Sequence, residues 1–174
     1  MAKRIALFAI SSCASKYKKS IIPLFSFNAD FYIRLFLIVK DSPEECKSNA
    51  LKYGYVFHCR NCQNRLISPL AEMDKKRIKF RNNTCDKTCK ICDSNMILSG
   101  PYWIDDLYDY DFLDQLIANL QKEEFKYLKY NSRILNFLNL IKEESVLKHC
   151  IFTYDYARFG NDINLSIPKL SLIR

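Results

Sequence analysis

The sequence predicts an α+β protein in which a metal site supports part of the fold. Three features predict it: an N-terminal helical pattern, short β-prone segments, and two Cys-x-x-Cys pairs with 26 residues between them. The chain has 174 residues, of which 49% are hydrophobic, and this suffices for one ordinary core or for two small cores with a metal in one. We therefore expect one or two domains.

The first predicted elements are a helix and two strands. Residues 2–19 fit a helix with lysines near its C-terminal end and one stripe of apolar and small side chains: Ile5, Phe8, Ala9, Ser12 and Cys13. Pro23 is expected to close the connection that follows. The β-prone runs are Leu24–Phe27 and Phe31–Val39, and the aromatic and β-branched second run predicts a largely buried strand.

The remaining elements lie on either side of the cysteines. Ser42 followed by Pro43 predicts a short helix or turn with an N-cap. From 53 to 98 we expect short strands and turns, with a basic loop between the cysteine pairs. Helical periodicity predicts helices over 111–123 (Phe112, Leu116, Leu120) and 132–144 (Leu135, Leu138, Ile141), then a helical or mixed segment over 147–174.

Charge is distributed unevenly along the chain. Of the net +8, residues 1–100 carry 18 Lys/Arg against 8 Asp/Glu, whereas residues 101–174 carry 9 against 11. Such asymmetry favours a polyanionic partner for the N-terminal part, with nucleic acid the first candidate. A Lys-rich solvated surface without a partner is the alternative explanation.

Four cysteines have the spacing of a zinc site. Cys59/Cys62 and Cys89/Cys92 can each present two thiolates from one turn, and two such turns fill the four positions of tetrahedral zinc. A site with four cysteine ligands has no open position for water, so we expect a structural metal and no hydrolytic chemistry.

Other assignments of the cysteines are weighed against this set. Cys85 lies four residues before Cys89 and could replace a ligand, and His58 is a neighbour that could join the site. Unligated buried thiols are a further alternative. A redox role would need a βαβ context that neither pair has. Cys13, Cys46 and Cys150 are isolated and carry no assignment.

The sequence gives no sign of export or membrane insertion. No signal-peptide pattern opens it, and its longest apolar runs are too short to span a bilayer. We expect an intracellular protein with reduced thiols and no membrane partner. Nuclear, cytoplasmic and mitochondrial locations are all open.

Several motifs together resemble one enzyme family, the tRNA (guanine-26-N2)-dimethyltransferases. Residues 16–39 resemble its strand-pair segment, in which the matching positions are Leu24, Ser26, Asp30, Tyr32 and Arg34. The cysteine pairs follow in the family's order, and then Gly100-Pro101-Tyr102-Trp103 and Asp109 match its "GGPmW…D" motif. Weaker similarity continues at Tyr154-Asp155-Tyr156 and Ser166-Ile167-Pro168. In this resemblance Cys89 and Cys92, not Cys85, match the second ligand pair.

The resemblance implies a division of the chain and a role. Residues 1–40 would be the C-terminal helix and strand pair of a class I, Rossmann-like methyltransferase fold. Residues 41–174 would be most of a zinc-braced α+β domain that binds tRNA. The family uses S-adenosyl-L-methionine, but the glycine-containing loop and the Asp-Pro-Phe/Tyr-Gly motif of its catalytic domain have no counterpart here. We therefore expect a C-terminal portion, inactive alone, with no catalytic or cofactor-binding residue assigned; a separate polypeptide could supply the methyltransferase domain.

The resemblance leaves several residues to interpret. Asp30 and Arg34 could brace the methyltransferase domain's edge, with a salt bridge or cap as the simpler role. Trp103 is expected to be a packing anchor, with base stacking as the alternative. Candidate phosphate contacts are Lys16, Lys18, Lys19, Lys75, Lys76, Arg77, Lys79 and Arg81. A freestanding zinc-ribbon nucleic-acid-binding protein without catalysis is the competing functional hypothesis.

Overall fold

The architecture is a mixture of helices and antiparallel strands. The computed structural model describes residues 2–29, 31–62, 64–75, 77–81 and 88–146. The helices are α1 (Ala2–Lys16), α2 (Pro43–Ser48), α3 (Tyr110–Leu120) and α4 (Asn131–Val146), with short 3-10 turns at Asn49–Lys52 and Glu123–Phe125. The strands are β1 (Lys19–Ala29), β2 (Tyr32–Asp41), β3 (Tyr53–Cys59), β4 (Arg65–Pro69), β5 (Ala71–Asp74), β6 (Arg77–Phe80) and β7 (Met96–Trp103).

Three separate antiparallel sheets organise the strands. β1 pairs with β2, β5 pairs with β6, and β3 lies between β4 and β7. The predicted loop between the two cysteine pairs is therefore partly a β-hairpin. The predicted α+β class is confirmed at this level.

Helix α1 is shorter than predicted and buries a different face. It ends at Lys16, and Lys18 adopts a positive φ of 58° in the turn before β1. The buried residues are Arg4, Leu7 and Ser11, whereas Ile5 is 48% exposed. The predicted stripe is confirmed only at Phe8, which packs against the core. The rest of it was wrong because a buried arginine and serine, both hydrogen-bonded across the core, share the inner face with Leu7.

The β1–β2 hairpin corrects two predictions. Pro23 lies inside β1, where the register shifts between Pro23 and Phe25, and so it does not close a connection. β2 was predicted to be largely buried, yet eight of its ten residues are exposed, among them Tyr32 and Val39 at 50% and 52%. Its apolar composition is that of a strand covered by other elements, but in the described part of the chain β1 is its only strand partner.

The remaining helix predictions are confirmed with small shifts of boundary. Ser42 Oγ caps α2 by accepting from the Glu45 N–H at 3.3 Å, and Asp109 caps α3 by accepting from the Phe112 N–H at 3.0 Å. α3 and α4 pack together and against β1 through a buried cluster: Phe25, Leu113, Leu120, Leu138 and Ile141. The predicted segment 147–174 lies outside the described residues.

A second cluster joins the N-terminal helix to the cysteine-containing region. Its buried members are Leu7, Ile21, Tyr53, Trp103 and Leu107. They come from both sides of residue 40, so the two predicted parts share a core. None of the helices described is both long enough and apolar enough to cross a membrane.

Candidate metal centre

The first Cys-x-x-Cys pair forms a tight turn at the end of β3. The Cys59 N–H donates to the Asn64 carbonyl at 2.8 Å, and the Asn61 N–H donates to Cys59 Sγ at 3.4 Å. His58 pairs with Arg65 across the turn. The backbone therefore both closes the turn and offers a donor that stabilises negative charge on the sulfur.

The second pair repeats this geometry. The Cys89 N–H donates to the Ser94 carbonyl at 2.8 Å, and the Ile91 N–H donates to Cys89 Sγ at 3.5 Å. Asp93 takes the left-handed conformation, with φ 53°, that a glycine often supplies in such turns. Neither turn depends on a glycine.

Strand pairing brings the two turns together. β3 and β7 are antiparallel, and Cys59, the last residue of β3, lies opposite Met96, the first residue of β7. Cys89 and Cys92 shortly precede Met96, so the second turn reaches the same end of the β4-β3-β7 sheet as the first. We call this sheet with its two turns the ribbon.

The four sulfurs are close enough to share one ion. Cys59 Sγ lies 3.4 Å from Cys92 Sγ, and Cys62 Sγ lies 3.5 Å from Cys89 Sγ. All four lie within 4.8 Å of one another, and none is in a disulfide. Tetrahedral zinc with bonds of about 2.3 Å places its sulfur ligands about 3.8 Å apart, so this donor set fits zinc.

The local environment favours ionisation at two of the sulfurs. Hydrogen bonds with Ser94 lower the pKa of Cys92 to about 5, and the Ile91 N–H lowers the pKa of Cys89. At Cys62 a hydrogen bond with the Asn64 backbone favours the thiolate, but lost hydration and the neighbouring sulfurs outweigh it and raise the pKa to about 12. Four adjacent thiols cannot all ionise without a cation to neutralise them.

The alternative ligands fall outside this cluster. His58 is adjacent to Cys59 in β3, so its side chain projects from the opposite face of the sheet, and it is not part of the group that could hold a metal. Cys85 and Cys150 lie outside the described residues. Cys13 is exposed and Cys46 is partly buried; neither joins the cluster.

The predicted phosphate contacts occupy two places. Lys16, Lys18 and Lys19 lie at the junction of α1 and β1, where Lys16 and Lys18 are exposed and Lys19 Nζ lies 2.6 Å from Asp41 Oδ1. The second place is the hairpin of β5 and β6, with Lys75 exposed at its turn. Lys76 lies outside the described residues.

The basic residues of the β5–β6 hairpin lie near carboxylate side chains. Arg77 lies opposite Asp74, Lys79 lies opposite Glu72, and Arg81 Nε is 3.1 Å from Glu72 Oε2. Residues paired across antiparallel strands share a face, so part of the positive charge here is neutralised within the protein.

The motif residues of β7 are structural. Trp103 is 1% exposed and its Nε1–H donates to the Asp106 carbonyl at 3.0 Å, which confirms a packing anchor and excludes base stacking. Gly100 has a φ of 127°, where a Cβ would lie 3.2 Å from the Gly54 carbonyl oxygen, so a glycine is required.

Arg34 lies over the rings of Phe27 and Tyr32 in the β1–β2 hairpin, while Asp30 is outside the described residues.

Sequence reasoning missed a cleft between the two cysteine turns. The cleft has a volume of about 660 Å³ and is lined by Arg60, Asn61, Ser94, Asn95 and Ile97. Arg60 was not among the predicted phosphate contacts. The sequence feature that could have identified Arg60 is its position directly after the first cysteine of a Cys-x-x-Cys pair. Lys90 has the same position in the second pair.

Comparison with known proteins shows the family to which the chain belongs. The model of the family described as N2,N2-dimethylguanosine tRNA methyltransferase matches residues 1–174, so the chain belongs to this family. The resemblance drawn from the motifs is thereby confirmed. A freestanding zinc-ribbon protein is not favoured.

Curated relatives are tRNA (guanine(26)-N(2))-dimethyltransferases. The Drosophila melanogaster enzyme is 30% identical over 83% of this chain and 27% of its own length. The Saccharomyces cerevisiae mitochondrial enzyme is 29% identical over 99% of the chain and 32% of its length. The Saccharolobus islandicus enzyme is 30% identical over 98% of the chain and 41% of its length. The chain therefore spans less than half the length of these relatives.

A solved structure shares the fold. Trm1 from Pyrococcus horikoshii, in complex with S-adenosyl-L-methionine, superposes with a TM-score of 0.65 at 18% identity, over 97% of this chain and 38% of that one. The mixed helix and strand arrangement described above is thus a fold found within that protein.

Proposed function

We propose that this chain is the C-terminal part of an S-adenosyl-L-methionine-dependent tRNA (guanine-26-N2)-dimethyltransferase, in which it binds tRNA and provides a metal-stabilised scaffold. Family membership and the names of the relatives support the reaction. The observation that carries the proposed role of this chain is the convergence of four cysteine sulfurs within 4.8 Å at one end of the ribbon.

The proposed metal is zinc, held by Cys59, Cys62, Cys89 and Cys92. When bound, zinc would supply cross-linking between the two turns and no reaction chemistry, because four cysteine ligands fill its coordination sphere. The protein contributes backbone N–H donors to two of the sulfurs, from Asn61 and Ile91. Such sites stabilise small modules that have little core of their own.

The proposed tRNA surface combines the α1–β1 junction with the β5–β6 hairpin. Lys16, Lys18 and Lys75 are the best candidates, since they are exposed and the chain around them is strongly basic. Lys19 and Arg81 have carboxylate partners and should contribute less; the other proposed contacts are Lys76, Arg77 and Lys79. These cations would supply affinity for the phosphodiester backbone rather than sequence recognition.

We also propose the division near residue 40, with the methyltransferase active site outside this chain. The exposed apolar face of β2 supports this division, since it is composed like a covered strand, as does the greater length of the relatives. In this arrangement residues 1–40 complete the edge of the methyltransferase sheet. The shared cluster of Leu7 and Trp103 would then fix the position of the ribbon relative to it.

We infer that the catalytic groups lie outside this chain. The exocyclic amine of guanine is a weak nucleophile, so the enzyme must extrude the base, align it with the methyl group and accept the amine's protons. We assign no residue of this chain to these steps. S-adenosyl-L-methionine would bind to the methyltransferase domain, and the location of the enzyme would be intracellular.

The test combines a binding assay with a transfer assay on the same protein. The purified chain should bind a tRNA transcript yet transfer no methyl group from radiolabelled S-adenosyl-L-methionine, while the Saccharolobus islandicus enzyme serves as the positive control. Methylation of the transcript by the chain alone would overturn the placement of the active site. Absence of salt-dependent tRNA binding would overturn the role in RNA binding.

A further inference from the structure

The cleft between the two cysteine turns has the chemistry of an RNA contact. It is lined by Arg60 and Asn61 of the first turn, by Ser94 and Asn95 after the second, and by Ile97 of β7. The cleft has a volume of about 660 Å³ and is open to solvent, so an extended nucleotide segment could enter it.

We propose that this cleft binds a segment of the tRNA, with the Arg60 guanidinium on a phosphodiester and the amide side chains beside an unpaired nucleotide. This inference rests on the proposed function and adds to it a site that contains none of the basic residues named above. A guanidinium presents a planar fork of donors that matches phosphate oxygens. Asparagine amides offer both a donor and an acceptor to base edges, and an aliphatic side chain can lie against a base.

Exposure and charge favour an anionic occupant. Arg60 and Asn95 are exposed, and none of the residues that line the cleft is acidic. The nearest carboxylate along the chain, Asp93, is not among the lining residues. The cleft therefore combines one exposed cation, polar amide and hydroxyl groups and an aliphatic side chain, with no carboxylate to repel a phosphate.

The metal centre should also affect the cleft, because the same two turns contribute to both. Arg60 follows Cys59 directly, and Ser94 follows Cys92 by two residues, so the turns that hold the sulfurs also set the width of the cleft. A cross-link between the turns would keep the two walls at a fixed separation. RNA affinity should then depend on the integrity of the ribbon and not on charge alone.

The test measures tRNA affinity of the 174-residue chain by fluorescence anisotropy at several salt concentrations. Arg60→Ala should weaken binding about tenfold at 0.15 M salt and reduce the slope of log K against log salt by about one, because one phosphate contact is lost. Arg60→Lys should retain the slope and recover part of the affinity. Arg133→Ala, an exposed arginine on α4, is the matched control and should change affinity less than about twofold.

A second variant distinguishes loss of the RNA contact from damage to the metal centre. Asn95→Asp is isosteric and places a negative charge in the cleft, so it should also weaken binding while the metal content of the protein stays at the wild-type value. If both Arg60→Ala and Asn95→Asp bind tRNA as the wild type does, with the same salt slope, the cleft proposal is wrong and the proposed function stands. If the wild-type chain does not bind tRNA, both are wrong.

Discussion

The Arg4 guanidinium donates to the Trp103 carbonyl at 3.0 Å, and through the same Nη1 to the Asp105 carbonyl at 2.8 Å. Arg4 is 5% exposed, and burial lowers its pKa from the usual value. These bonds attach the N-terminal helix to the segment that leaves the ribbon. One buried side chain thus joins the two parts into which we propose to divide the chain.

Removing this attachment should destabilise the fold. Arg4→Met keeps much of the aliphatic stem but leaves two buried carbonyls without their charged donor, which we expect to lower the free energy of unfolding by about 1.5–3 kcal/mol. Urea denaturation would measure it. Lys16→Met, at an exposed position of the same helix, is the control and should stay within about 0.5 kcal/mol. Equal effects of the two variants would contradict the structural role of Arg4.

Tyr53 should make stability sensitive to alkaline pH. Its hydroxyl donates to Ser11 Oγ at 2.7 Å, and burial raises the pKa of Tyr53. Because the folded-state pKa exceeds the unfolded one, its contribution is complete below about pH 10 and is lost as pH rises through the folded value. Tyr53→Phe should cost about 1 kcal/mol at pH 8 and show a smaller further loss at pH 11 than the wild type. An unchanged alkaline loss in Tyr53→Phe would show that Tyr53 is not responsible.

Substitution of a clustered cysteine should affect zinc binding and stability, whereas substitution of an isolated cysteine should not. Cys59→Ser removes one sulfur from the four-cysteine cluster and should abolish stoichiometric zinc binding and lower the melting temperature by more than 10 °C, since the metal's binding energy stabilises the fold. Cys13→Ser, at an exposed position on α1, should retain both properties. Calorimetry and metal analysis on the same samples would show the difference. Retention of zinc by Cys59→Ser would exclude this cysteine as a ligand.

Exposed and paired lysines should differ in their effect on RNA binding. Lys75→Asn removes a charge at a position with a φ of 40° that asparagine tolerates, and should weaken tRNA binding two- to fivefold with a smaller salt slope. Lys126→Gln is the control, since Lys126 pairs with Glu123 beyond α3. If Lys126→Gln weakened binding as much, positive charge in general, and not the proposed surface, would account for affinity.

Local signals allowed the helices, the Ser42 cap of α2 and the convergence of the four cysteines to be predicted. Ser42 before a proline specifies its cap within four residues, and a Cys-x-x-Cys pair specifies its own turn. The features missed depend on distant neighbours. The inner face of α1 is set by the Arg4 and Ser11 hydrogen bonds to residues over 40 positions away, and the exposure of β2 depends on which elements cover it.

The cleft at Arg60 could not be predicted for a related reason. It exists because β3 and β7 pair in a register that places Cys59 opposite Met96, and no pattern within either turn encodes that register. With the two turns side by side, Arg60 and Asn95 line the same cleft. The distribution of charge along the chain indicated a basic region but did not single out Arg60.

The most direct test of the account is the metal content and coordination of the freshly purified chain. We predict one zinc per chain, with X-ray absorption showing four sulfur neighbours at about 2.3 Å, and loss of tRNA binding when the metal is removed by a chelator. Less than about half a zinc per chain, together with stability and tRNA binding unaffected by chelation, would contradict the proposed metal-stabilised scaffold.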